Sequence, residues 1–296
     1  MQRPLKPEEF LLGSTLRGEC AFVLFSELPV AEPFAAEGQD RIDGLHFVTA
    51  TMDEVARFVA LRHLRVPRDR CLPLVTRATV DITDAEPWRL GGPRGQVVTD
   101  LHFRSVGGPG MPDGLECTGR VSVDGEPCAT ARAHLSFPEP APPRSAARPR
   151  LLAEDLRRVR PERVGCGEGR DVVVHGSLVI DEHRVLMDVV PHPGNPVFDP
   201  GRSGRAGAVL LIEASRQAAT LAAGELRGLS TAHCLLTRWS AEFRGSLDNG
   251  APLRCSAVPG ALTRDTRDRP VVPVRIEFTQ DERCVGTVDV VVLQDC

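Results

Sequence analysis

An acid, a guanidinium and an amide lie within one and a half helical turns of one another in AVLLIEASRQAATLAAGEL, residues 208–226. They are Glu213, Arg216 and Gln217, and almost all their neighbours are apolar. A guanidinium matches planar or tetrahedral oxyanions with two parallel donors, so this group can hold a phosphate or another oxyanion. It can equally form a buried ion-pair network that only fixes the packing of the helix, because buried charges must be paired.

The same Glu-x-x-Arg spacing occurs in the first half of the chain. In MDEVARFVALRHL, residues 52–64, Glu54 and Arg57 lie three positions apart. Arg57 has the same two interpretations as the arginine of the second half: an oxyanion ligand or a member of a buried Glu-Arg network that only fixes helix pairing.

The loop GRSGRAG, residues 201–207, directly precedes the second of these stretches. It offers Arg202, Ser203 and Arg205 beside the free amides of a helix N-terminus, which is favourable chemistry for binding an anion such as a phosphate. It lacks the Gly-Lys-Ser/Thr of a phosphate-binding P-loop. The alternative is a loop whose arginines are simply solvated.

The stretch that carries the second trio is predicted to be a long buried helix. Apolar residues occupy nearly every side of it, and such a helix must be enclosed. They are Val209, Leu210, Leu211, Ile212, Ala214, Ala218, Leu221 and Ala222. Gly228 is the expected stop just beyond it. A sheet has to cover this helix, so the pattern indicates an α+β unit.

The two halves present the same signals in the same order. After each helical stretch comes a strand containing Thr-Arg, LVTRATVDI or LLTRWSAEF, and each half closes with a hairpin-like pair of strands around a polar turn. The proline-rich segment PEPAPPRSAARPR resists both helix and sheet. We therefore expect an N-terminal domain at 1–138, a linker at 139–150 and a C-terminal domain at 151–296, related by duplication.

The composition of the chain argues against two classes of binding partner. The net charge of −4 gives no electrostatic case for nucleic acid or an anionic membrane surface. No signal-peptide core or membrane-spanning run is found, so a cytoplasmic location is expected. The nine cysteines form no C-x-x-C pair, and the histidines lack metal-ligand spacing, so neither a disulfide framework nor a metal site is predicted.

NPVFDPGRSGRAGAVLLIEASRQAA, residues 195–219, resembles the C-terminal signature of the AfsA-type γ-butyrolactone biosynthesis family. The matching residues are Val197, Phe198, Asp199, Leu211, Glu213, Ala214, Arg216, Gln217 and Ala218. In the first half, LPVAEPF (28–34) and EVARFVALRHLRVPRDR (54–70) are similar to further family motifs, and His63 stands where the family often has a histidine. Both histidines of the family's D-H-P-x-D-H stretch are absent, and Phe58 replaces a family glutamine.

The resemblance implies a tandem hotdog fold, in which each half is a long helix wrapped by an antiparallel sheet and the halves form an intrachain pseudo-dimer. It also implies binding of an acyl thioester, from an acyl carrier protein or coenzyme A, with the carbonyl near a helix N-terminus. No separate cofactor is expected, and further pairing into a homodimer stays open.

The activity implied by the resemblance is transfer of a β-ketoacyl group to the hydroxyl of a small acceptor such as dihydroxyacetone phosphate, for synthesis of a butyrolactone-type signal. Glu54 or Glu213 would then be the general base. Arg216 and Arg57 would steady an oxyanion or phosphate, and Gln217 would orient the thioester or its partner residue. Further substrate ligands would be Arg202, Ser203, Arg205 and His63. Because the family histidines are missing, two alternatives stay open: a dehydratase, thioesterase or cyclase acting on a carrier-bound polyketide, and a non-catalytic acyl-binding protein.

Overall fold

The structure is a computed structural model that describes most of the chain. The described residues are 14–16, 19–27, 43–67, 74–88, 95–108, 112–137, 159–180, 183–192, 195, 208–244 and 251–295. The predicted linker at 139–150 and the loop at 201–207 lie outside them. Contacts divide the chain into two compact units, with the main division between Arg144 and Ser145.

Among its described residues, the first unit contains six strands and one long helix, α1, at Gly44–Phe58. The strands are β1 (Ser14–Leu16), β2 (Glu19–Glu27), β3 (Leu74–Ile82), β4 (Gln96–Val106), β5 (Gly114–Val123) and β6 (Glu126–Ser136). They form an antiparallel sheet in the order β1-β2-β4-β5-β6-β3, and α1 packs against β3, β5 and β6.

The second unit repeats this arrangement around helix α2, Ala208–Arg227. Its strands are β7 (Val174–Ile180), β8 (Arg184–Val189), β9 (Cys234–Phe243), β10 (Leu253–Pro259), β11 (Thr263–Arg264), β12 (Pro270–Gln280) and β13 (Arg283–Gln294). Their order is β7-β8-β10-β12-β13-β9, with the two-residue β11 paired to β12. Apart from β11, each strand has its counterpart in the first unit in sequence order and in sheet order. The predicted duplication of an α+β unit is therefore visible in the topology.

Both predicted hairpins are present. β5 and β6 are joined by Asp124 and Gly125, with φ of 51° and 87°, and β12 and β13 by Asp281 and Glu282, with φ of 49° and 61°. Two consecutive residues at positive φ make a type I′ turn, whose twist matches that of the flanking strands. Gln280 completes β12, so the second turn begins at Asp281.

Helix α1 begins eight residues before the helical stretch predicted at Met52. The Asp43 side chain caps it by accepting hydrogen bonds from the backbone amides of Leu45 and His46, at 3.0 and 3.2 Å. The helix ends in a π-helical turn at Val59–His63.

Helix α2 is enclosed, as its apolar sequence predicts. Ala214, Ala218 and Ala222 are fully buried, and the helix packs against β8, β10, β12 and β13. It ends at the expected glycine: Gly228 has φ of 75° and donates its N–H to the Gly224 carbonyl. No helix in the described part of the chain is long and apolar enough to cross a membrane.

Candidate active site

The polar trio of α2 lies against the segment that leads into β7. This segment contains two short 3₁₀ turns, Pro161–Val164 and Gly169–Asp171, separated by a loop in which Gly165 has φ of 64°. The turns leave backbone carbonyls and amides pointing at the helix, and the helix side chains complete their hydrogen bonds. The sequence between the two turns therefore forms one wall of the site.

Glu213 and Arg216 form a bidentate ion pair on one face of α2. Arg216 Nη2 donates to Glu213 Oε1 at 2.6 Å and Arg216 Nε donates to Oε2 at 2.9 Å. The two side chains are only 6% and 13% exposed. This geometry holds the carboxylate in one orientation, and little solvent screens the pair.

Gln217, one turn after the glutamate, uses both ends of its amide. Its oxygen accepts from the backbone amides of Val173 and Val174, at 2.8 and 3.3 Å. Its nitrogen donates to Glu213 Oε1 at 2.5 Å and to the Asp171 carbonyl at 2.7 Å. The side chain is completely buried, so it ties the carboxylate of α2 to the start of β7.

Arg216 reaches further, across the same wall. Its Nη1 donates to the carbonyl of Val164 at 3.1 Å, and its Nη2 lies 3.2 Å from the sulfur of Cys166. The Gln217 nitrogen lies 3.3 Å from the same sulfur. Three groups of α2 and the Cys166 thiol therefore form one connected cluster, which we call the α2 cluster: Cys166, Glu213, Arg216 and Gln217.

Cys166 was missed by reasoning from the sequence. It lies between two glycines in a loop, with no periodic pattern and no histidine partner to draw attention to it. Burial raises its pKa to about 12, with Arg216 opposing the shift and Glu213 adding to it. The thiol is therefore protonated at neutral pH and is a hydrogen-bonding group of the cluster rather than a poised nucleophile.

A second layer of side chains supports the wall. Asn195 is 4% exposed, and its amide nitrogen donates to Asp171 Oδ1 at 2.9 Å and to the Arg170 carbonyl at 3.2 Å. Because the Asp171 carbonyl accepts from Gln217, Asn195 steadies the residue that holds the amide of the cluster. Its side chain links the first residue of the family signature to the site.

The Glu-x-x-Arg of α1 has different surroundings. Arg57 is exposed and pairs with Asp53 at 2.6 Å, one turn earlier, and the Glu54 side chain is exposed. Partial desolvation raises the pKa of Glu54, an effect that Arg57 opposes and Asp53 adds to. The two helices thus share a spacing of residue types without sharing a buried network.

The remaining candidates are dispersed. His63 is exposed at the end of the π-helical turn, with its ring edge-on to Phe22 and Phe58 at 5.6 Å between centroids. Arg202, Ser203 and Arg205 lie outside the described residues. Within the described ranges, no group of three or more His, Cys, Asp or Glu side chains is arranged to hold a metal ion.

Comparison with solved structures shows the same fold. A putative thioesterase from Novosphingobium aromaticivorans is 13% identical with a TM-score of 0.52, covering 94% of this chain and 96% of its own. The 12:0-ACP thioesterase from Umbellularia californica is 9% identical with a TM-score of 0.54, covering 92% and 93%. A structure described under dehydratases from type I polyketide synthases is 18% identical with a TM-score of 0.51, covering 97% and 98%.

No curated protein sequence matches the chain. The family model of AfsA, the A-factor biosynthesis hotdog domain, matches residues 147–293. This range contains helix α2, the wall formed by the two 3₁₀ turns and all four residues of the α2 cluster. Residues 147–293 therefore belong to the AfsA family of hotdog domains, within a chain that has an α+β tandem hotdog fold.

Proposed function

We propose that this protein acts on acyl thioesters as an AfsA-like acyltransferase. The proposed reaction moves a β-ketoacyl group from an acyl carrier protein or coenzyme A thioester to a hydroxyl of a small phosphorylated acceptor such as dihydroxyacetone phosphate, for synthesis of a butyrolactone-type signal. No cofactor is needed beyond the thioester itself. The observation that carries the proposal is the α2 cluster, a buried acid, guanidinium and amide inside the segment that matches the family.

In the proposed step the acceptor hydroxyl oxygen attacks the thioester carbonyl carbon. A carbon–oxygen bond forms and the carbon–sulfur bond breaks. Glu213 takes the hydroxyl proton and returns it to the leaving thiolate, so no further reactant is consumed. The preorganised donors of the cluster stabilise the negative charge that develops on the carbonyl oxygen.

Arg216 and Gln217 have distinct roles in this scheme. Glu213 Oε1 accepts hydrogen bonds from both, so proton uptake requires the guanidinium to turn from the carboxylate to an oxyanion or phosphate of the substrate. A phosphate offers the guanidinium an equivalent bidentate partner. Gln217 stays fixed by Val173 and Asp171 and acts as a positioning residue for the carboxylate.

A second candidate is a non-catalytic acyl-binding protein. It is favoured by the many internal contacts of the α2 cluster: the acid, the guanidinium and the amide all have hydrogen-bond partners within the protein. A network satisfied in this way needs no role other than fixing α2 against the wall.

The experiment incubates purified protein with a β-ketoacyl thioester, with and without dihydroxyacetone phosphate, and follows free thiol and product mass. Glu213→Gln is compared with the wild type and with Glu225→Gln, an exposed position on the same helix whose partner is Arg163. Far-UV circular dichroism and thermal melting verify that each variant is folded.

Acceptor-dependent thiol release that yields a phosphorylated ester, retained in Glu225→Gln and reduced at least about a hundredfold in Glu213→Gln, supports the transferase. Thiol release without acceptor would replace the proposal with a thioesterase, and loss of water with a dehydratase or cyclase. Unchanged thioester with every protein, together with binding of an unreactive thioether analogue, would leave the acyl-binding protein.

A further inference from the structure

A polar groove crosses the outward face of the first unit's sheet. It has a volume of about 510 Å³ and spans β4, β5 and β6, and none of its lining residues belongs to α1 or to the α2 cluster. Its polar lining consists of Asp100, His102, Thr118, Arg120, Thr130 and Arg132. The volume falls within the range of small-molecule sites, which is roughly 300–1,000 Å³.

The strand register brings two arginines together in this groove. Arg120 on β5 lies directly opposite Thr130 on β6, and Thr118 lies opposite Arg132. The two arginines are therefore diagonal neighbours on one face, with Cβ atoms about 7–8 Å apart, within reach of a common ligand. Each has a threonine hydroxyl directly across from it.

Neither guanidinium has a hydrogen-bond or ion-pair partner among the described residues. This distinguishes them from two outward-facing arginines that pair with a carboxylate directly across from them. Arg254 pairs with Asp188 across from it at 3.1 Å, and Arg275 with Asp289 at 3.5 Å. Arg254 and Arg275 therefore each already have a carboxylate partner on the neighbouring strand.

Asp100 on β4 lies directly opposite Arg120 on β5, yet it forms no ion pair within the described chain. The groove thus combines two available cations, two hydroxyl donors and one available carboxylate. A phosphate monoester suits the cations and the hydroxyls, since each guanidinium can give it two parallel hydrogen bonds. The carboxylate accepts only hydrogen-bond donors, and a neighbouring hydroxyl of the same ligand supplies one.

We propose that this groove binds the phosphate monoester of a small hydroxyl-bearing molecule. Arg120 and Arg132 hold the phosphate, Thr118 and Thr130 donate to its remaining oxygens, and Asp100 accepts from the ligand's hydroxyl. The proposal does not rest on acyl transfer, and its test measures binding rather than turnover.

The test is isothermal titration of the full chain with glycerol 3-phosphate and, separately, with inorganic phosphate, at constant ionic strength. Arg120→Gln and Arg132→Gln are each expected to weaken binding of glycerol 3-phosphate by about tenfold or more. Arg275→Gln, which removes a paired arginine from the corresponding face of the second unit, is the matched control and is expected to bind as the wild type does.

Asp100→Ala tests whether the ligand's hydroxyl is recognised. The wild type is expected to prefer glycerol 3-phosphate over inorganic phosphate, and this preference should disappear in Asp100→Ala even though removal of the carboxylate favours anions in general. Equal affinity of the wild type for the two probes would overturn the hydroxyl contact. Wild-type affinity in folded Arg120→Gln and Arg132→Gln, or no binding by the wild type, would overturn the site.

Discussion

Replacing the amide of the α2 cluster with an acid should make the stability of this protein strongly dependent on pH. Gln217→Glu is nearly isosteric and puts an oxygen where the amide nitrogen now lies, 2.5 Å from Glu213 Oε1. Both side chains are buried, at 0% and 5% exposure. Arg216 neutralises one carboxylate, but two carboxylates at that distance in low dielectric cannot both ionise. The folded variant must therefore retain a proton that the unfolded chain releases.

The magnitude follows from proton linkage. The shared proton raises the folded-state pKa of the pair above the unfolded value of about 4.3. Below about pH 4.3 the folded and the unfolded chain both carry the proton, so the substitution adds no pH-dependent cost to folding. As the pH rises towards the folded pKa, the unfolded chain releases this proton and the folded variant loses stability. One extra proton bound by the folded state gives a slope of about −1.4 kcal/mol per pH unit. If the pair keeps its proton, the variant loses about 4 kcal/mol relative to the wild type between pH 5 and pH 8.

The assay is urea unfolding of the wild type, Gln217→Glu and Gln217→Leu at pH 5, 6, 7 and 8. Gln217→Leu removes the same hydrogen bonds and adds no titratable group, so it should be destabilised by a similar amount at every pH. The reasoning about the cluster would be refuted if Gln217→Glu lost no more stability than Gln217→Leu between pH 5 and pH 8.

Further predictions concern the turns of the two hairpins and the thiol of the α2 cluster. Glu282→Gly should raise the free energy of unfolding by about 1 kcal/mol, because a non-glycine residue there adopts φ of 61°. Gly125→Ala in the first hairpin should lower the free energy of unfolding by a similar amount, because Gly125 has φ of 87°. Urea titrations measure both changes. Cys166, whose pKa is raised to about 12, should react with iodoacetamide at pH 8 about fifty-fold more slowly in the native protein than in urea, as followed by peptide mass mapping.

Two results would contradict the predictions for Glu282 and Cys166. No gain from Glu282→Gly would mean that the glutamate side chain compensates for its backbone conformation. Native Cys166 that reacts as fast as the unfolded thiol would mean that Arg216 stabilises a thiolate, and Cys166 would then become a candidate nucleophile.

The elements that the sequence predicted well are those governed by local chemistry and periodicity. Helix α2 was expected to be enclosed because its sequence is apolar on nearly every side, and it ends at Gly228, where a left-handed residue is needed. The hairpins were visible as β-favouring runs around polar turns. The start of α1 was less visible, because its cap, Asp43, follows a polar and charged stretch, EGQDRI, with no apolar period.

The candidate site, too, was predicted from the sequence only in part. The sequence by itself determined that Glu213, Arg216 and Gln217 share one face of one helix, because residues three and four apart in a helix are neighbours. It predicted equally that Glu54 and Arg57 form a similar unit. Only the tertiary structure decided that the first trio is buried against a wall, whereas Arg57 turns to Asp53 at the surface.

The physical reason is that helical spacing fixes which side chains can meet on their own helix, but burial and long-range partners depend on what packs against that helix. Cys166, Asp171 and Val173 are about 40 to 50 positions away from their partners on α2, and no local pattern encodes those contacts. The sequence thus determined the repeated α+β unit and the residue types available for chemistry. Tertiary packing decided which of the two Glu-x-x-Arg pairs became a buried, fixed and desolvated cluster.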